Sequence, residues 1–522
     1  MSLNQSINPF FVYLYIAKTR FFFAVLAGYN FFIPPKLYIF ALFWRYINFN
    51  IMIQLIGRQR EMSELERCQL SNRSEFVVVY GRRRIGKTFL IRSFFHDKFD
   101  FFFTGLHNYK RQPQLDDFAV ALQKYGGSKF KIKLDSWNEA FNQLQVLLSK
   151  KRSKSKKIVF IDEMPWIDTR RSDFVPALEK FWNSWASLRD DIMLIVCGSS
   201  TSWIIDNIIK NQGGLYNRVT MQIYLRPFTL AESRQYLIAN GCKWDIYQVA
   251  QCYMVMGGVP FYYSLLDNSQ SLAQNIDRLF FSSKNAVLRT EFEQLFATLF
   301  NKYDRYINVI KVLIQRQEGF TRSELAELAG FGGSELTKIL ENFERCDFIQ
   351  GFDKFNGGLK NRIYKVCDLY TLFYFKFIYN KSAQPSNYWQ KIFDKPSIAA
   401  WQGFTFETIC LMHTEQIKRA LGIEGILTST GTWRSKNRDA QIDLVIERSD
   451  RTINLCEIKF SKNKYVITSD YENHLRDRES LFIEETKTKY AVNTVFITTY
   501  GVRNPQNFSI VCGDLKLDDL FL

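Results

Sequence analysis

The stretch EFVVVYGRRRIGKTFLIRSFF, residues 75–95, changes character twice within 21 positions. It opens with a β-branched, apolar run of strand type, passes through a loop bounded by Gly81 and Gly86, and closes with a helix-forming segment. The loop Gly81-Arg82-Arg83-Arg84-Ile85-Gly86-Lys87-Thr88 fits the spacing G-x-x-x-x-G-K-[ST] in the strand–loop–helix setting that gives the pattern its meaning. Glycine at both ends permits backbone angles and a closeness of approach that a Cβ would block. The free N–H groups and positive dipole end of the following helix then face phosphate. Lys87 is placed to reach β- and γ-phosphates, and the Thr88 hydroxyl to ligate Mg²⁺. Arg84 in the loop and Phe89 in the first helical turn complete the residues expected beside the nucleotide.

A second apolar run, KKIVFIDEMPWI (156–167), ends its strand in Asp162-Glu163. Such a pair suits a Mg²⁺ ligand, Asp162, followed by a carboxylate that orients or deprotonates an attacking water, Glu163. A third, IMLIVCGSS (192–200), ends in Ser199 and Ser200; one of these senses a γ-phosphate or caps a helix. Strands alternating with helices predict a parallel sheet with its ligand at the strand C-termini.

With these segments LIGRQREMSEL (55–65), LYNR (215–218) and GGVPFYY (257–263) stand in an order that resembles the archaeal-type ATPases, on the AAA+/STAND side of the P-loop NTPases. The resemblance spans roughly 53–270. It implies that Gly57, Arg58 and Glu61 lie near the adenine entrance, and that Gly258 and Pro260 belong to a helical lid. It also implies that Arg218 contacts a γ-phosphate, in cis or from a neighbouring subunit.

Composition sets the frame. The 522 residues are 47% hydrophobic and 23% charged, as expected of several globular domains. Nine scattered cysteines without a CxxC pair point to a reducing compartment. Four well-separated histidines favour oxygen-held metal over zinc. The net charge of +17 suggests a polyanionic partner, yet residues 401–522 hold 16 basic and 17 acidic side chains, so the excess lies upstream. A cationic run, SKKRSKSKK (149–157), reads as a solvated loop or a phosphate-backbone contact.

The first 51 residues are apolar but broken by Lys18, Arg20, Pro34, Pro35 and Arg45, short of the roughly 20 uninterrupted residues a spanning helix needs. Three readings stand side by side: Met52 as the true initiator, a membrane-associating hairpin, and a domain extension. The expected location is cytoplasmic, or membrane-associated if this segment is translated and inserts.

Residues 303–367 read as helix, helix, turn, helix and two short strands, and resemble a winged helix with Thr321 and Ser334 as N-caps. Its third helix carries Glu335, Glu341 and Glu344 against Lys338 and Arg345, a poor charge for a major groove, whereas the wing holds Lys354, Lys360, Arg362 and Lys365. After a polar linker comes QIDLVIERSDRTINLCEIKFSK (441–462), two strands joined by a short turn. Glu457 and Lys459, two apart on a strand, share a face, and hairpin pairing brings Asp443 beside them. Two carboxylates and an ammonium suit a Mg²⁺-activated water with Lys459 stabilising the developing charge of phosphodiester hydrolysis. The pattern resembles the PD-(D/E)XK restriction-endonuclease-like fold, with Glu407 on the preceding helix matching an extra acid of that family.

The expected architecture is α/β: an apolar extension (1–51), a P-loop parallel-sheet core (52–230), a helical lid (231–300), a winged-helix-like domain (301–380), a linker (381–400) and a nuclease-like α/β domain (401–522). ATP and Mg²⁺ are the expected cofactors. Site residues are Glu163, Arg218 and Lys459 for catalysis, and Thr88, Asp162, Glu407, Asp443 and Glu457 for metal. ATP or ADP, DNA, a second copy of the chain and an unspecified protein are the candidate partners. Two functions stay open: an ATP-regulated nuclease, and a signal-transducing ATPase switch whose C-terminal domains bind a partner without cutting.

Overall fold

A computed structural model describes residues 55–522 apart from 128–131, 154, 170–171, 283–285, 301, 356–361, 383, 436 and 505–508. The expectations for residues 1–51, and for Lys360, fall outside the described residues. Residues 56–522 form one compact unit.

Its first layer is the sheet the sequence predicts. Strands β1 (Glu75–Tyr80), β2 (Phe101–Thr104), β3 (Lys157–Asp162), β4 (Ile192–Gly198) and β5 (Met221–Tyr224) pair in the order β2-β3-β4-β1-β5, all parallel. Every residue of β3 and β4 is buried, which explains their unbroken apolar runs: both faces are covered, so no alternation is required. Helices α1 (Gln59–Leu70), α2 (Lys87–Phe94), α3 (Arg111–Gly126), α4 (Trp137–Lys150) and α5 (Phe174–Ser184) accompany this sheet. On one face, Phe118, Phe141, Trp137 and Phe174 pack over Val78 and Val196 in a single core. Because β4 lies between β1 and β3, the loop after β1, the acids at the end of β3 and the serines after β4 share one sheet edge.

The cationic run before β3 is largely structural. The Lys156 ammonium donates to the carbonyls of Cys68 (2.7 Å) and Arg73 (2.6 Å), and Lys157 pairs with Asp191 at 2.7 Å. Lys151 pairs with Asp100 at 3.3 Å. These three side chains tie the sheet's opposite edge together, while Lys150 and Arg152 are exposed; a solvated loop and a phosphate contact were the two readings of the run.

After the short α6 (Thr201–Ile204) and then β5, the chain enters a helical region. Helix α7 (Leu230–Ala239) starts from a capping box of Thr229 and Glu232, and α8 (Ile246–Met256) from one of Asp245 and Gln248. The short α9 (Pro260–Ser264) and α10 (Val287–Leu299) follow. Next come α11 (Tyr303–Leu313), β6 (Phe320–Thr321), α12 (Arg322–Ala329), α13 (Gly333–Arg345), β7 (Ile349–Lys354) and β8 (Ile363–Val366). Thr321 caps α12 through Glu324 as expected, but Ser334 does not cap α13. That helix begins two residues earlier than such a cap requires, after Gly332, and Ser334 lies inside it.

The final part holds α14 (Leu369–Phe377), α15 (Pro396–Met412), β9 (Thr428–Arg434), β10 (Gln441–Arg448), β11 (Thr452–Lys459), α16 (Ser469–Thr486), β12 (Ala491–Thr498) and β13 (Val511–Lys516). Strands β9, β10 and β11 are antiparallel, and β12 and β13 add in parallel. This sheet does not stop at β9. Strand β7 pairs with it in parallel through Asp353–Gly431 and Lys354–Thr432, giving the order β13-β12-β11-β10-β9-β7-β8-β6. Gly431 permits the join, since a Cβ there would stand 2.5 Å from the Asp353 carbonyl oxygen.

One hydrophobic core runs from Phe228 to Leu520, through Tyr253, Phe343, Phe373, Phe406 and Ile458. The expected linker (381–400) is part of it: Trp389 is buried, and its N–H donates to Asp277 at 2.6 Å. Eight of the nine cysteines are buried and all are free, Cys512 being exposed. Among the described residues no helix is long and apolar enough to cross a membrane.

Candidate functional site

The phosphate-type loop closes over its own lysine. Gly81 (φ 142°), Arg84 (φ 75°) and Gly86 (φ 88°) take positive φ, and a Cβ on Gly81 would stand 2.3 Å from the Leu225 carbonyl oxygen. The buried Lys87 ammonium donates to the carbonyls of Gly81 (2.8 Å) and Arg82 (2.9 Å). This is a ring of acceptors a phosphate can replace. Thr88 Oγ1 donates to Asp162 Oδ2 at 2.8 Å, so the hydroxyl and carboxylate expected on Mg²⁺ already touch. A hard dication takes this kind of oxygen pair. The residues therefore fit the ion.

Beside Asp162, Glu163 sits at φ 48° in the left-handed region. Its carboxylate accepts from the Ser199 backbone N–H (3.1 Å) and hydroxyl (2.8 Å). Of the two uses weighed for the serines, helix capping does not hold, because the cap residue of α6, Ser200, makes no side-chain cap bond.

The entrance residues link loop to lid. Gly57 (φ 69°) packs on Glu232. The Arg58 backbone N–H donates to Glu232 Oε1 at 3.0 Å, and its guanidinium reaches the Ile85 carbonyl at 3.4 Å and lies 4.7 Å over the Phe228 ring. Glu61 pairs with Arg58 at 3.8 Å. Burial pulls the Arg58 guanidinium below its ordinary value, with Glu232 and Glu61 opposing. Gly258 accepts from the Phe228 N–H (2.7 Å), and Pro260 opens α9, whose Phe261 N–H donates to the Arg84 carbonyl at 3.3 Å. Arg84 forms a two-pronged pair with Glu291, at 3.0 and 3.1 Å. Phe89 is exposed beside the loop, and Arg218 is exposed on the turn before β5.

The second cluster lies on β10, β11 and α15. Lys459 donates to Glu457 at 2.8 Å, as their shared strand face predicts. Two further partners come from α16: the Arg478 guanidinium and the Tyr471 hydroxyl both bind the Glu457 carboxylate. Although burial would raise it, Arg478 and Lys459 hold the Glu457 carboxyl down at about 2. Asp443 pairs instead with Lys365 of β8, at 3.7 Å. Burial, then the nearby Asp443 charge, pushes the Glu407 carboxyl up to about 8.

Among the described residues no group of three His, Cys, Asp or Glu side chains is arranged to hold a metal. Glu407, Asp443 and Glu457, the acids expected on a metal, lie near enough for the Asp443 and Glu457 charges to act on Glu407. Glu457 is held by two cations and a phenol, and Asp443 by a lysine. Arg478 and Tyr471 were missed by sequence reasoning because nothing in YENHLRDRES sets them apart from a solvated helix.

Residues 55–266 match the family described as an ATPase domain predominantly from Archaea. An uncharacterised protein of Methanocaldococcus jannaschii is 23% identical over 450 residues, which is 80% of this chain and 94% of that protein. An uncharacterised ATP-binding protein of the same organism is 38% identical over 47 residues, 9% of this chain and 80% of that one. Among solved structures, the Walker-type ATPase of Pyrococcus abyssi covers 62% of this chain and 96% of its own at 16% identity, with a TM-score of 0.45. The Aeropyrum pernix ORC2 protein, solved in ADPNP and ADP complexes, covers 74% and 98% at 11% identity, with a TM-score of 0.41.

Proposed function

We propose, from the membership of residues 55–266 in an ATPase domain family found predominantly in Archaea, that this chain binds ATP and hydrolyses it as a switch acting on its C-terminal half. The observation that carries the reading is the Thr88–Asp162 contact set beside Glu163 and the Lys87 loop. Lys87 exchanges its carbonyl partners for β- and γ-phosphate oxygens. Glu163, aligned by Ser199, accepts a proton from the attacking water. Mg²⁺, held by Thr88 and Asp162, supplies neutralising charge when bound. Gly57, Arg58, Gly258 and Pro260 border the base, and exposed Arg218 is available to a γ-phosphate in cis or in a neighbouring copy. The test is ATP turnover by purified protein with Mg²⁺, beside Lys87→Ala and Glu163→Gln. Turnover equal in all three proteins defeats the reading.

DNA cleavage is a second reading, favoured by one observation. The order α15-β9-β10-β11-α16-β12, with an antiparallel hairpin followed by a parallel strand, supports a restriction-endonuclease-like fold for the last domain. The helix–strand arrangement at 303–366 likewise supports a winged helix. Because Glu457 and Asp443 already carry cationic partners, partner binding without cleavage is the first reading and nicking the second. Plasmid incubated with Mg²⁺, with and without ATP, beside Lys459→Ala separates them: nicking by the parent alone establishes the nuclease.

A further inference from the structure

All three arginines of the phosphate loop reach away from it, into the chain's second half. Arg83 donates to Thr298 at 3.0 Å, and Arg84 to Glu291. Arg82 goes deepest. Its Nη1 donates to Asp368 Oδ1 at 2.7 Å across 286 residues of sequence, with both side chains almost wholly buried, at 1% and 2% exposure. Around it, the Phe348 ring centre lies 5.3 Å from the guanidinium, Asp347 and Tyr262 stand near enough to act on its charge, and Nε and Nη2 have no hydrogen-bond partner among the described residues.

Burial alone would depress the Arg82 guanidinium; Asp368 first, with Tyr262 and Asp347, more than reverses that, so the net shift is upward. Asp368 is itself held, accepting from the Thr371 N–H (3.0 Å) and hydroxyl (2.5 Å) at the start of α14. The other end of Arg82, its backbone carbonyl, accepts from Lys87. A line of contacts therefore joins the start of α14 to the ammonium that grips phosphate.

We propose that Asp368 is a positioning residue of the nucleotide site: through Arg82 it sets the shape of the loop around Lys87, so ATP affinity and docking of the C-terminal half depend on each other. The inference rests on the ATP-binding reading above. Two properties make the pair suited to this role. A buried cation that loses its carboxylate cannot be rehydrated without moving, so the loop has one low-energy shape while Asp368 is in place. Coupling between two sites is also reciprocal: whatever docking does for ATP, ATP does for docking.

The experiment uses the full chain and titrates ATP by calorimetry. Asp368→Asn, which keeps the helix cap, is expected to weaken ATP binding at least tenfold, and Asp368→Glu to recover most of that loss. Hydrogen exchange at residues 363–377 is expected to slow on ATP binding in the parent and not in Asp368→Asn. Asp277 is an equally buried carboxylate that accepts from Trp389 and Gln390. Asp277→Asn is expected to lower thermal stability with ATP affinity unchanged.

Parent-like affinity in Asp368→Asn, or equal loss in Asp277→Asn, overturns the proposal. If Asp368→Asn does not fold, Asp368→Glu decides: parent-like ATP affinity without ATP-linked slowing at 363–377 overturns it, and retained slowing supports it. A parent that binds no ATP, or binds as well with Lys87→Ala, defeats the ATP reading instead.

Discussion

The carboxylate of Glu163 is held by Ser199, just after the end of β4, through two hydrogen bonds of 3.1 and 2.8 Å. An acid held at a positive φ and aligned from a neighbouring strand is pre-set for one direction of proton transfer.

Glu163→Gln is expected to lower ATP turnover by about 10²–10⁴-fold, the usual worth of a positioned general base, while ATP binding survives. Ser199→Ala removes only the hydroxyl bond, worth about 1 kcal/mol, and should cost roughly fivefold in turnover. Steady-state kinetics of both variants, with nucleotide binding measured separately, check the pair.

Chelating Mg²⁺ should weaken ATP binding, and Asp162→Asn should do so by a similar amount. If Thr88 and Asp162 hold one ion, chelation should add little to the variant. A full second loss on adding EDTA to Asp162→Asn would show that the ion sits elsewhere. Calorimetric titration in the four conditions measures it.

His413 makes the fold acid-sensitive. It is buried at the end of α15; its Nδ1–H donates to the Ile409 carbonyl at 2.8 Å and its Nε2 accepts from the Leu230 N–H at 3.1 Å. Burial pulls its pKa down to about 4. The unfolded chain takes the proton first, near pH 6.5, so this contribution is complete above that pH. It falls away between about 6.5 and 4, by up to ~3 kcal/mol. Thermal melts from pH 7.5 to 5 should show a falling midpoint that His413→Gln flattens.

Arg478→Met leaves Glu457 buried with Lys459 as its remaining cation. Stability should fall by about 2–4 kcal/mol, read by denaturant unfolding. In the parent, the depressed Glu457 carboxyl contributes fully above its unfolded value near 4.3 and loses its contribution as pH drops towards 2. The variant should lose that acid limb.

What the sequence made legible was local. A loop that binds phosphate is contiguous, and buried parallel strands announce themselves as apolar runs, so 75–95, 156–163 and 192–199 could be read without a partner in view. Pairings across long separations were not legible. Neither Arg82 nor Asp368 differs in its own neighbourhood from a surface residue, and β4 could have followed β3 on either side. The linker reading failed for a visible reason: Pro385 and polar neighbours outweighed Trp389, though a tryptophan between two aromatic-rich helices is itself a sign of burial. In the C-terminal cluster the strand period correctly joined Glu457 to Lys459, but α16 lay outside any periodicity that could predict its claim on the same carboxylate.

The two-residue seam between β7 and β9 forbids a clean cut: a chain severed ahead of residue 400 would be left with a raw ribbon edge and half an oily interior. Residues 349–366 and 428–516 are therefore expected to hold their shape only together.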